Sequence, residues 1–169
     1  MNTWKENWDE SKKRYIDWWN HKGFIISMWE HLHKDGAPHA PVPAPPVPES
    51  LEQKWFDPVW RARDLNYQLS KSSFMADIPP VANTHLGPGS LAAILGADLD
   101  AGEETIWIKP VENANTPIVF DRHNKWWLTH VELLKQCKAL SNGCYYVGMP
   151  DLIEGLDTLA GLYGSDNVL

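Results

Sequence analysis

Asp77 is the single acid in an apolar run, Phe74-Met75-Ala76-Asp77-Ile78, and His85 follows after the polar turn Pro79-Pro80-Val81-Ala82-Asn83-Thr84. A carboxylate can accept several N–H bonds and stabilise positive charge that develops near it. An imidazole exchanges protons near neutral pH and can act as acid or base. Gly87-Pro88-Gly89-Ser90 then opens a helix, whose N-terminus can receive an anion. Asn83, Gly87 and Gly89 are therefore candidate substrate-binding residues, with Asp77 and His85 as candidate catalytic ones. Each also has a plain structural reading: Asp77 satisfies the Pro79-Pro80 turn, His85 is a hydrogen-bonded turn histidine, and the glycines serve turn geometry. Asp151, in Met149-Pro150-Asp151, either caps the next helix or faces a ligand.

Other chemistry-bearing residues are weaker. His31 and His33 alternate, with His39 nearby, so two imidazoles on an extended chain would point the same way. No third ligand stands at a convincing spacing, and they read as solvated loop histidines; no metal site is expected. Cys137 and Cys144 are seven apart with no CxxC, which reads as two reduced thiols.

The elements that must position these residues alternate. A helix is expected from the Thr3/Glu6 capping pattern to a stop at Gly23, carrying Trp4, Trp8, Tyr15, Ile16 and Trp19 at helical spacing. Phe24 to Trp29 reads as a strand. Residues 36 to 49 hold six prolines, Pro38, Pro41, Pro43, Pro45, Pro46 and Pro48, with Gly36, and read as extended chain. Asp57 caps a helix that has Pro58 at its first position and runs to Lys71. Phe74 to Ile78 reads as a strand, Ser90 to Leu95 as a helix ending at Gly96. Thr105 to Val111 and Pro117 to Phe120 read as strands of an antiparallel excursion. A helix over Lys125 to Leu140, a strand over Cys144 to Met149 and a helix over Leu152 to Leu162 complete the chain. This alternation predicts a largely parallel α/β sheet. Neither GxGxxG nor GxxxxGK[ST] is present.

The chain has 169 residues, enough for one domain with a sizeable core. Its formal net charge of −7 argues against nucleic acid as partner. No apolar stretch approaches the length of a membrane span, and no signal peptide is recognisable, so the cytoplasm and a small-molecule substrate are the expectations. Ten tryptophans are spread along the chain, which favours packing over a stacking platform.

Three stretches resemble the uroporphyrinogen decarboxylase-like family: Trp55-Phe56-Asp57-Pro58 with Arg61 to Leu69, the run from 74 to 96, and Tyr146-Val147-Gly148-Met149-Pro150-Asp151-Leu152-Ile153-Glu154-Gly155-Leu156-Asp157-Thr158-Leu159. The resemblance implies a partial TIM-type (β/α) barrel with an N-terminal helical extension, residues 1–50 forming the extension and 51–169 the first βα units of the N-terminal half. A whole barrel takes about 250 residues. It implies a lyase acting on a tetrapyrrole-type substrate without a cofactor, with corrinoid-linked methyl transfer and a non-catalytic barrel half as alternatives. It also implies a homo-oligomer, or completion by a C-terminal half. Asp77 resembles the strand-end aspartate that faces pyrrole nitrogens in the decarboxylases. Asp157 stands, with Leu156, where the family places a tyrosine. The stretch Met28 to Asp35, which corresponds to the family's arginine-rich loop, contains Glu30 and no arginine.

Overall fold

The computed structural model describes residues 4–27, 32–33, 42–113, 115–152 and 155–168, with 32–33 described in backbone only. Thr3, Met28, Trp29, His31 and His39 lie outside the described residues. The chain is a mixed helix-and-sheet protein that divides into two compact units. The first holds Met1–Pro45, Arg63–Ala82 and Cys137–Gly148; the second holds Pro46–Ala62, Asn83–Gln136 and Met149–Leu169.

In the first unit, helix α1 (Trp8–Trp19) is followed by a left-handed turn at His21 and Gly23, as the glycine predicts. Strand β1 (Leu32–His33) pairs antiparallel with β2 (Ser72–Ser73). Strand β3 (Val81–Ala82) runs parallel to β6 (Tyr146–Val147). Trp4 and Trp8 stack on Tyr145 and Tyr146, each at 5.4 Å between ring centres, so the early tryptophans are packing residues.

Two expected strands take other forms here. Residues 24–27 are irregular, although Ile26 exchanges bonds with Asp77 through both its N–H and its carbonyl. The expected strand at 74–78 is a turn, because Ala76 adopts a positive φ of 47° and its carbonyl is drawn to Lys5 and Ser11. Pairing begins later, after Pro79 and Pro80, neither of which can donate to a ladder.

In the second unit, α2 (Leu51–Phe56) starts at Ser50, whose hydroxyl accepts from Gln53 N–H. The helix that follows, α3 (Pro58–Lys71), has its predicted Asp57 cap: the carboxylate accepts from Val59 and Trp60 N–H at 2.8 and 2.9 Å. The helix leaves the second unit after Ala62. Strands β4 (Asp98–Ala101) and β5 (Ile106–Lys109) form an antiparallel hairpin. Helices α4 (Ser90–Ile94) and α6 (Leu156–Tyr163) pack through Ala92, Ala97 and Leu162, with Ile108 against them. Helix α5 (Lys125–Ser141) crosses from the second unit's residues into the first's and ends at Asn142-Gly143, both at positive φ. Pro117 to Phe120 is exposed and outside any strand, so the excursion is a β4–β5 hairpin instead of the expected pairing.

Among the described residues the strands form three two-stranded sheets and close no barrel. The β3–β6 pair is parallel, as the α/β reading requires, and its connection holds α4, β4, β5 and α5. No described helix is long and apolar enough to cross a membrane.

Candidate functional site

Asp77 belongs to the first unit and is 3% exposed. Arg14 Nε donates to its Oδ1 at 2.6 Å and Ile26 N–H to its Oδ2 at 3.0 Å. Arg14 also reaches Ser11 Oγ at 3.3 Å. Lys5, 2% exposed, donates to the carbonyls of Phe74 and Ala76 at 3.1 and 2.7 Å. These residues come together because α1 places Ser11 and Arg14 three apart, on one face, against the Ala76 turn. Burial pushes the Asp77 carboxyl up, but the Ile26 N–H, Arg14 and Ser11 together outweigh it and hold it below the ordinary carboxylate value. Burial, reinforced by Arg14 and opposed by Asp77, lowers Lys5. A cavity of about 550 Å³ lies beside this network, with Arg14, Asp17, Lys22, Phe24, Ile26 and Asp77 among its walls.

His85 belongs to the second unit and is half-buried. Its local geometry is set by a nested turn. Asn83 Oδ1 accepts from His85 N–H at 3.3 Å, and Gly87 N–H donates to His85 Nδ1 at 3.0 Å. Gly87 reaches that bond at φ 70°, and a Cβ there would sit 3.1 Å from Ile106 Cβ. With Nδ1 accepting, the neutral ring carries its proton on Nε2 and presents a donor. Arg61 Nη1 donates to the His85 carbonyl at 3.1 Å and to the Trp55 carbonyl at 3.2 Å. Burial lowers the His85 pKa, Arg61 lowers it further, and Asp151 opposes both.

His130, on α5, completes this group. It is 1% exposed; Nδ1 lies 2.7 Å from the Trp126 carbonyl, and Nε2 is buried without a hydrogen-bond partner. The Nδ1 contact requires a proton there, so Nε2 offers a lone pair. Burial lowers its pKa, the Trp126 carbonyl raises it, and Arg61 and His85 lower it further. Arg61, His85, His130 and Asp151 thus form one electrostatic cluster with a fixed cation, two neutral imidazoles and an exposed carboxylate. Such a cluster can attract an anionic group and offer it a hydrogen-bond donor.

The remaining candidates sit elsewhere. Gly89 is buried, and a Cβ on it would come 2.2 Å from Ile108 Cγ1, so its lack of a side chain serves packing on β5. Asp157 is exposed in the first turn of α6, on a groove of about 540 Å³ that Pro88 and Trp107 also line. The structure therefore brings Asn83, His85, Gly87 and Asp151 together in the second unit and keeps Asp77 within the first. No group of three or more His, Cys, Asp or Glu among the described residues is arranged to hold a metal ion. Cys137 and Cys144 are not joined in a disulfide.

Sequence reasoning missed Arg61 and His130 as site residues. His130 is detectable in principle: Trp126, His130, Leu133 and Cys137 recur at helical spacing, and all four are buried. A histidine inside such a stripe must surrender a ring nitrogen to the interior. No protein-family model, no curated protein and no solved structure matches this chain.

Proposed function

We propose that this chain is a portion of a uroporphyrinogen decarboxylase-like (β/α) barrel, a small-molecule lyase acting on a tetrapyrrole-type substrate through the His85 cluster. One observation carries the reading. Within the second unit, His85 and Asp151 come from loops far apart in the chain, and their side chains interact electrostatically beside Arg61. Loops that converge in this way are where proteins commonly build ligand sites. In this reading Arg61 supplies the positive charge that draws a substrate carboxylate, and His85 Nε2–H donates to it. Loss of carbon dioxide leaves an electron pair on carbon that takes a proton from water, while the Nε2–H of His85 holds and orients the departing carboxylate. The Nδ1 bond from Gly87 favours the neutral ring, so His85 acts as a donor.

The test is a titration of the whole chain with a porphyrinogen and, separately, with a corrinoid, followed by absorbance. Binding of the porphyrinogen that weakens in Arg61→Met and in His85→Phe is expected. Saturating concentrations of either ligand without a spectral change overturn the reading.

A non-catalytic scaffold is the second reading, and the Asp77 geometry favours it. Both carboxylate oxygens are already engaged inside the first unit, by Arg14 and Ile26, which is what a structural clamp requires.

A further inference from the structure

Strand β5 has one strand partner among the described residues, β4, and its other edge faces the groove of about 540 Å³ along α6. The direction of its backbone groups follows from the hairpin. Gly102 N–H donates to the Thr105 carbonyl at 2.9 Å, so that pair is hydrogen-bonded across the turn. Antiparallel pairs alternate. Ala101–Ile106 is then non-bonded, Asp100–Trp107 bonded, Leu99–Ile108 non-bonded and Asp98–Lys109 bonded. Ile106 and Ile108 therefore aim their N–H and carbonyl groups away from β4, and neither takes part in any other described backbone bond. An open edge of β-branched and aromatic residues is a template for another strand.

The same unit carries a segment with the matching character. Ile118, Val119 and Phe120 are strand-prone, belong to no strand and are 44%, 66% and 53% exposed. Their own chain holds them off β5. Val111 N–H donates to the Leu162 carbonyl at 2.8 Å, Tyr163 Oη donates to the Thr116 carbonyl at 2.9 Å, and the Phe120 ring meets Trp127 edge-on at 5.2 Å.

We infer that two copies of this chain associate by strand addition, residues 117–122 of each copy pairing antiparallel with the free edge of β5 in the other. One register meets every constraint. Ile118 opposite Ile108 and Phe120 opposite Ile106 place donors and acceptors against the open groups of β5. Pro117 falls opposite Lys109, whose backbone bonds toward β4, so its missing N–H costs nothing. Arg122 then lies toward the acidic β4–β5 turn, Glu103-Glu104, an opposite-charge contact at the end of the ladder. Val119 falls opposite Trp107, which is 64% exposed, and each covers the other's apolar surface. Shifting the segment by two residues either way sets Arg122 opposite Gly102 or brings Pro110 into the ladder. Pairing across copies leaves the Tyr163 and Trp127 anchors in place, whereas pairing within one copy would strip the segment from them.

The test uses two single variants in a Cys144→Ser background, Trp107→Cys and Val119→Cys. In the proposed register these positions form a non-hydrogen-bonded pair with Cα atoms about 4.5 Å apart, within disulfide range. Mixing the two proteins under mild oxidation is expected to give a disulfide-linked dimer that neither gives alone. Sedimentation should show a wild-type dimer whose dissociation constant rises about tenfold or more in Val119→Lys, equivalent to about 1.4 kcal/mol. Three results each overturn the inference: no mixed disulfide, a disulfide that closes only within one chain in the double variant, or a wild-type protein that stays monomeric at all concentrations.

Discussion

Replacing Asp77 by Asn separates a structural clamp from a catalytic carboxylate. The amide keeps the shape but removes the charge, and it cannot serve both Arg14 Nε and the Ile26 N–H as an anion does. A hydrogen bond to a charged group contributes about 1.5–3 kcal/mol. Asp77 is almost wholly buried, with 5% of its side chain exposed, but Arg14 is 40% exposed and can recover water, which reduces the loss. The expected cost is about 2 kcal/mol, equivalent to a fall of about 4–8 °C in Tm for a chain of this size. Arg14→Ala should cost a similar amount. A double-mutant cycle in urea should show a coupling of about 1 kcal/mol between the two positions. The acid limb gives a second readout. Asp77 titrates below its ordinary value in the folded state, so its contribution is present above about pH 4, the unfolded value, and is lost as pH falls through the folded one. The variant should therefore show a shallower acid limb than the wild type. Unchanged stability in Asp77→Asn, or a coupling near zero, refutes the clamp.

The two histidines act in the same pH direction, but in a higher window. Both pKa values are lowered in the folded state, so their contribution is whole above about pH 6.5 and falls as pH drops below it; His130→Phe should flatten that limb in denaturation curves taken between pH 5 and 7. Asp151→Asn should lower the His85 pKa further, because Asp151 is the one group raising it, and NMR titration of the ring protons reads this directly. Gly89→Ala should destabilise the fold by about 1–3 kcal/mol, since the new methyl meets Ile108 Cγ1 at 2.2 Å; Gly89→Ala with Ile108→Ala, which removes that carbon, should cost less than the sum of the two single changes in the same urea assay.

Helix positions were legible because their signals are local. Asp57-Pro58 sets the start of α3 and Asn142-Gly143 the end of α5, and both depend only on neighbouring residues. Strands were harder to place. Phe74 to Ile78 has the composition of a strand, yet Lys5 and Ser11, some 65 to 71 residues away, hold the Ala76 carbonyl and fix a turn there. The same long-range network accounts for Asp77: no local pattern reveals that Arg14 will meet it. At His85 the turn chemistry of Asn83 and Gly87 is readable from five residues, while the influence of Arg61 and His130 depends on helices from two other parts of the chain.

The interleaving of the two units bears on synthesis and on fragmentation. Each unit draws on three separate stretches, so the first stays incomplete until residue 148 has been made and the second until its last stretch, which starts at 149, has followed. A nascent chain therefore carries two unfinished cores through most of its translation. Contacts at large sequence separation slow folding, because the loop entropy is lost before the contact forms. A single protease cut between residues 83 and 136 would sever both units at once. Partial digestion should thus pass from intact chain to small peptides, without a stable fragment of half size.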